Sequence, residues 1–191
     1  VGEPTWDKKV LLLDSGLRKR GLSYAFGGAI ALNYHREPRS TLDIDINIFV
    51  QPRESEAVVG LLEELFELDD RARLERELAH DGQTRASWGY TFIDLFLANT
   101  DFHRSMAERV ERKPFANRLI PVLSIEDLLV CKVLFDREKD WLDVEAVART
   151  RHGELDRDYI LTWISRFLGP KDRRLQRVAR LLGEQRSAAE P

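Results

Sequence analysis

The sequence is poor in cysteine, histidine and lysine, and each shortage closes a class of function. Its 191 residues include one cysteine, Cys131, which excludes an internal disulfide framework and a multi-cysteine zinc knuckle. Four histidines, His35, His80, His103 and His152, lie far apart with none of the usual zinc-ligand spacings. The longest unbroken run of apolar residues and glycine is Tyr24–Leu32, nine residues, against the ~20 needed to cross a bilayer. No signal-peptide pattern opens the chain, which begins at Val1 instead of Met; a processed or trimmed chain and a cytoplasmic location are the expectation. Of 30 basic residues only 7 are Lys and 23 are Arg. Arg is the better fork for phosphate and carboxylate, although GC-rich coding produces the same bias. A net charge of −3 excludes a basic coat for nucleic acid over the whole surface.

What is present divides in two. Trp6–Arg20 has Val10, Leu13 and Leu17 at helical spacing and Gly21 as a stop. A short strand is expected at Ser23–Phe26, then a helix at Ala29–Tyr34. Asp43-Ile-Asp-Ile-Asn-Ile-Phe-Val50 alternates with period two, which predicts a strand with one apolar and one acidic face. Glu54–Leu68 reads as a helix, Arg71–Gln83 is too polar to assign, and Trp88–Ala98 reads as a second core strand. A short helix at Asp101–Arg109 and a strand at Leu119–Leu123 follow. Beyond Ser124 only helices are predicted, at 125–136, 139–150, 156–168 and 171–184. Strands mixed with helices and then helices alone predict an α/β (α+β) lobe over 1–123, a helical lobe over 124–184, and a disordered tail over 185–191.

Asp43 and Asp45, two apart on a strand, point the same way and repel. A divalent cation such as Mg2+ (or Mn2+), which prefers carboxylate oxygens and keeps positions open for phosphate, relieves that repulsion; a solvent-facing acidic edge is the alternative. Asp94 lies between Phe92 and Phe96 on a strand whose other face is also apolar, so its charge needs a partner. Either it joins Asp43 and Asp45 in a metal-binding triad for phosphoryl or nucleotidyl transfer, or it pairs with one of the arginines. Gly27-Gly28 before a helix offers close backbone approach and free N–H groups to a phosphate, or is simply a tight turn. Thr41, two residues before Asp43, shares the acidic face if the strand begins there; phosphate on its hydroxyl would then block the site. Further on, Lys132 is one helical turn from Asp136, and Lys139 from Asp143, so helix-surface ion pairs are one reading. Arg173, Arg177 and Arg180 fall on one face of the last helix, a stripe that tracks an RNA backbone or is merely solvated.

Gly27-Gly28-Ala29, then Arg39-Ser-Thr41-Leu-Asp43-Ile-Asp45, then Asp94, together resemble the DNA polymerase β nucleotidyltransferase superfamily. Ser124-Ile-Glu-Asp-Leu-Leu-Val-Cys-Lys132 leading to Arg137-Glu-Lys-Asp140-Trp-Leu-Asp143 looks like one branch of it, the AbiEii/MenT-type toxins of bacterial toxin–antitoxin systems. The resemblance implies a mixed sheet flanked by helices and followed by a helical lobe. It further implies Mg2+-dependent transfer of NMP from an NTP to an acceptor hydroxyl. Asp43, Asp45 and Asp94 would hold metal and activate the acceptor, and Gly27 and Gly28 would hold phosphates, with Arg39 and Thr41 at the strand entry. Lys132 or Lys139 would reach the triphosphate, and Asp140 would orient it. Within the branch the acceptor would be the tRNA 3′ end, and a cognate antitoxin the partner. An aminoglycoside-type acceptor, a non-catalytic NTP-binding relative and a metal-dependent nuclease are the competing readings.

Overall fold

The computed structural model describes residues 2–151 and 153–183; the tail expected at 185–191 lies outside the described residues, as do Val1, His152 and the last predicted helical residue, Glu184. The chain divides into two compact units, one made of 1–31 with 39–123, the other of 32–38 with the chain from Ser124 onward. The sequence reading keeps 32–38 with the first lobe; in the structure this short segment belongs to the second unit. Among the described residues no helix is long and apolar enough to cross a membrane.

The first unit is built on a six-stranded mixed sheet. Its strands are β1 (Tyr24–Phe26), β2 (Ile44–Ile48), β3 (Gln83–Trp88), β4 (Thr91–Leu97), β5 (Glu111–Phe115) and β6 (Arg118–Val122), in the spatial order β3-β4-β2-β1-β6-β5. The period-two pattern of β2 sends Ile44, Ile46 and Ile48 to one side, where each is fully buried. β4 runs parallel beside it and buries Ile93, Leu95 and Leu97 at the same registers. Each such side chain stabilises by about 2 kcal/mol, and a one-residue slip would turn all six outward. Helix α1 (Trp6–Lys19) adds Val10, Leu13 and Leu17 to this core and stops before Gly21, whose φ of 65° suits glycine. A 3-10 turn at Pro52–Glu54 leads into α3 (Ser55–Leu65), which follows the short α2 (Gly28–Leu32) in chain order.

The segment too polar to assign forms α4 (Arg71–Asp81). Asp70 caps its start by accepting from Arg73 N at 2.8 Å, and Gly82, with φ of 69°, ends it. The i,i+4 pairs Arg71–Glu75 and Arg73–Glu77 line its exposed side, and Leu74 and Leu78 alone are buried. The expected single strand Trp88–Ala98 is two strands: Trp88 ends β3, and Gly89-Tyr90 turn the chain into β4. The unit is completed by α5 (Asp101–Glu108) and the β5–β6 hairpin.

The second unit is helical: α6 (Ile125–Phe135), α7 (Glu138–Thr150), α8 (Arg157–Leu168) and α9 (Arg173–Leu181). Ser124 Oγ caps α6, and Asp156 and Asp172 cap α8 and α9. Asp136, in the left-handed region with φ of 54°, ends α6. Ile125, Leu128, Leu129 and Val133 on α6, Val144 and Val147 on α7, Ile160 and Ile164 on α8 and Val178 on α9 are buried.

Candidate active site

The sheet of the first unit carries its polar groups in one row. β2 and β4 are parallel with Asp45 opposite Asp94, and β3 and β4 are antiparallel with Arg85 opposite Asp94. Directly opposed residues share a face, so Arg85, Asp94 and Asp45 stand side by side across three strands. The next row holds Gln83, Phe96 and Asn47. Adjacency of the two acidic strands, on which a three-carboxylate grouping depends, is thus met.

Gly27 and Gly28 stand against Asp45, at one end of this row. Gly27 N donates to Asp45 O at 2.9 Å, tying the end of β1 to β2. Gly28 has φ of 49°, and a Cβ there would lie 1.8 Å from Asp45 Oδ2. A side chain at 28 and the carboxylate of Asp45 cannot occupy the same space, which is a stronger reason for glycine than a tight turn alone.

Asp43 stands one residue ahead of β2. The strand begins at Ile44, not at Thr41, so the shared strand face anticipated for Thr41 is not formed. Its hydroxyl instead accepts from Asp43 N at 3.1 Å, a local turn that fixes the backbone of Asp43. Arg39 is exposed in the loop before it.

Asp94 finds its partner in Arg85, whose Nε donates to Oδ1 at 2.6 Å and Nη2 to Oδ2 at 2.7 Å. This is the arginine pair that one of the two readings of Asp94 expects. The hydrogen bond to Asp94 raises the Arg85 guanidinium above its ordinary value; burial opposes it, and the charges of Asp94, Asp43 and Asp45 add to the rise. Arg85 therefore lies within the field of all three carboxylates. Sequence reasoning missed it because β3 was not recognised; the signal was the alternation of Thr84, Ala86 and Trp88, all buried, with Gln83, Arg85 and Ser87.

Carboxylates of Asp43 and Asp45 supply the hard oxygens that Mg2+ and Mn2+ take, and the absent Cβ of Gly28 makes the room that the Asp45 carboxylate occupies, so the chemistry of this pair fits a divalent ion. Among the described residues no group of three His, Cys, Asp or Glu side chains is arranged to hold one, in keeping with the commitment of Asp94 to Arg85.

In the second unit, buried Lys132 donates to Asp140 Oδ1 at 3.1 Å and to Asp143 Oδ2 at 2.7 Å. Arg137 Nε adds a bond to Asp140 Oδ2 at 2.6 Å, and Arg36 pairs with Asp143. Burial alone would raise the Asp140 carboxyl; the hydrogen bonds and charges of Arg137 and Lys132 outweigh it and hold it below the ordinary carboxylate value. The one-turn pairs Lys132–Asp136 and Lys139–Asp143 do not form. Asp136 instead accepts from Trp141 Nε1 at 2.7 Å and pairs with Arg173. Lys139 is exposed and makes no ion pair among the described residues, so of the two lysines it is the one whose ammonium is available to an anion. In the arginine stripe of α9, Arg177 binds Glu145 at 2.8 Å and lies 4.0 Å from the Trp141 ring. With Arg173 on Asp136, two of the three arginines are engaged within this unit.

This fold has counterparts among solved structures. The antibiotic-resistance factor ANT(2″)-Ia is 14% identical with a TM-score of 0.53, covering 98% of this chain and 94% of that one. An antigenic nucleotidyltransferase-like protein from Paracoccidioides brasiliensis is 16% identical, with a TM-score of 0.56 over 95% of this chain and 89% of that one. The lincosamide antibiotic adenylyltransferase LnuA, solved with lincomycin, is 16% identical with a TM-score of 0.51 over 76% and 98%. At such identities the likeness establishes the fold. No curated protein sequence is similar to the chain. The nucleotidyl transferase AbiEii toxin family of type IV toxin–antitoxin systems, however, matches residues 11–188, which take in both the carboxylate row and the Lys132 cluster. The chain belongs to the AbiEii nucleotidyltransferase toxin family and is a nucleotidyltransferase.

Proposed function

We propose that this nucleotidyltransferase moves a nucleoside monophosphate from an NTP to the 3′ acceptor end of tRNA, with Mg2+ held by Asp43 and Asp45. The observation that carries the site assignment is the row Arg85–Asp94–Asp45 with Gly28 pressed against Asp45. When bound, the metal neutralises charge on the triphosphate and acidifies the acceptor hydroxyl. Gly27 and Gly28 let the triphosphate approach the backbone beside the metal pair. Asp94, across from Asp45, takes the proton from the acceptor hydroxyl at a carboxylate oxygen once it is released from Arg85. The acceptor oxygen bonds to the α-phosphorus, the bond to the β-phosphate oxygen breaks, and pyrophosphate departs.

Support for an RNA acceptor comes from the hairpin that ends the row. Tyr90 is 87% exposed and Phe92 42% exposed, and the Arg85 guanidinium lies 4.9 Å from the Phe92 ring. The exposed Phe92 ring beside Arg85 suits a stacked base and its phosphate. A cognate antitoxin is the partner this family leads one to expect.

Incubation with Mg2+, each labelled NTP, total tRNA and an aminoglycoside panel tests the reading. Label should enter tRNA, require the metal, and vanish in Asp45→Ala protein whose melting temperature stays within a few degrees of the parent. Label entering an aminoglycoside and not tRNA would replace the acceptor assignment, and full activity of Asp45→Ala would remove the metal pair.

A further inference from the structure

We propose that Arg85 is a counter-ion latch on Asp94, occupying the third carboxylate in the free protein and releasing it only when the divalent cation and its substrate arrive. The inference rests on the metal reading of Asp43 and Asp45 above and adds to it a residue that acts through Asp94.

The geometry is specific. Both oxygens of Asp94 face the guanidinium, at 2.6 and 2.7 Å, in the two-point arrangement that arginine and carboxylate adopt best. The lone pairs that Arg85 takes are then withheld from a cation beside Asp45, which the register places directly opposite. The carboxylates of Asp43, Asp45 and Asp94 repel one another; a guanidinium at the end of the row offsets that repulsion. A divalent ion offers the same row twice the charge, so it and Arg85 compete for Asp94.

The latch is also built to open. Arg85 lies on an edge strand and its side chain is 52% exposed, so rotation away from Asp94 disturbs no core packing. The flat face of Phe92 already lies under the guanidinium, and stacking there retains the cation at the site after release. From that position it meets an incoming phosphate. Metal alone should therefore bind the free protein weakly, and metal carried in by a nucleotide should bind well.

The test is titration with Mn2+ of the full chain without nucleotide, following free Mn2+ by electron paramagnetic resonance. Arg85→Gln should bind Mn2+ on the order of tenfold more tightly than the parent, and Arg85→Lys, which keeps the charge but loses the two-point bond, should fall between. In an Asp94→Asn background the same Arg85→Gln change should alter affinity less than about twofold, because the latch has nothing left to hold. That double-mutant cycle separates the latch from a general effect of removing a positive charge, which would persist in both backgrounds. Equal or weaker binding by Arg85→Gln, or an equal gain with and without Asp94, overturns the latch. Mn2+ binding that needs Asp45 but ignores Arg85 overturns the latch alone. Absence of Mn2+ binding in parent and variants alike overturns the metal reading and the latch with it. Melting temperatures close to the parent's confirm folding of each variant, and Arg85→Lys carries the test if Arg85→Gln fails that criterion.

Discussion

A methyl group at Gly28 would stand 1.8 Å from Asp45 Oδ2 on a backbone with φ of 49°. Two separate penalties follow: about 1–2 kcal/mol for a left-handed non-glycine residue, and displacement of the carboxylate that holds the metal in the proposed mechanism. Gly28→Ala should therefore abolish transfer while lowering the melting temperature by only several degrees, at about 2–4 °C per kcal/mol for a chain of this size. Gly60 is the control. It lies inside α3 with nothing within 4 Å of a built Cβ and without a positive φ, so Gly60→Ala should gain about 0.5–1 kcal/mol from helix propensity and leave transfer unchanged. Melting curves and initial rates on the two variants decide the matter. Equal rates for Gly28→Ala and parent would mean that Asp45 can be displaced without loss. Thr41 belongs to the same scale: its hydroxyl is spent on the backbone N–H of Asp43, so its contribution is to present Asp43.

Elements separate the two lysines that the sequence leaves equivalent. Lys132 is buried on α6 between two carboxylates of α7, whereas Lys139 is exposed on the first turn of α7. Removing one member of a buried ionic group typically costs about 3–5 kcal/mol, so Lys132→Ala should lower the melting temperature by on the order of 10 °C. Lys139→Ala should leave it within a degree or two, so that any change in its transfer rate is chemical in origin. Similar melting temperatures for the two variants would show that the buried cluster contributes nothing to stability. The Lys132 cluster was not legible because helical spacing pairs a residue with its neighbours on the same helix, and here α6 ends at Asp136 in a left-handed turn that puts α7 opposite. The legible elements were those with a large apolar face: α1, β2, β4 and the helices of the second unit. β3 and β5 escaped because they are edge strands: the inward half of β3 is only Thr84, Ala86 and Trp88, and in β5 charge and proline such as Lys113 and Pro114 break the pattern. α4 escaped because caps and ion pairs, not an apolar stripe, hold it. Asp45 and Asp94 could be placed on their strands from the period alone, whereas Asp43 lies one residue ahead of β2. Arg85 could not be, since its role depends on a register that only the folded sheet supplies.

At the scale of the whole molecule, acid is the condition that tests the charged interior. The protein carries 33 acidic residues against 30 Lys and Arg, so below the carboxylate range it becomes strongly positive and self-repelling. Ion pairs exposed on both sides, such as Arg71–Glu63 and Arg73–Glu77, contribute little. Asp140 differs: it is almost fully buried, and Arg137 and Lys132 hold its carboxyl below the ordinary value against the opposing effect of burial. A carboxyl depressed in the folded state gives its full stabilisation above its unfolded value, about 3.9, and loses it as the pH falls through the folded value. The window thus lies below about pH 4, and stability should be nearly flat from pH 7 down to about 5 as far as this group is concerned. Asp140→Asn should melt several degrees below the parent at pH 7, because Arg137 and Lys132 lose a charged partner. The gap between the two proteins should then narrow steadily below about pH 4, as the parent's carboxyl takes up the proton that the amide never binds. Added salt should weaken the exposed pairs through screening and leave this gap largely intact. Calorimetric melting of both proteins from pH 7 to about 2.5, at low and high salt, reads all of these quantities. A gap constant across that range, or one abolished by salt, would place Asp140 outside the group of charges that stabilises the second unit.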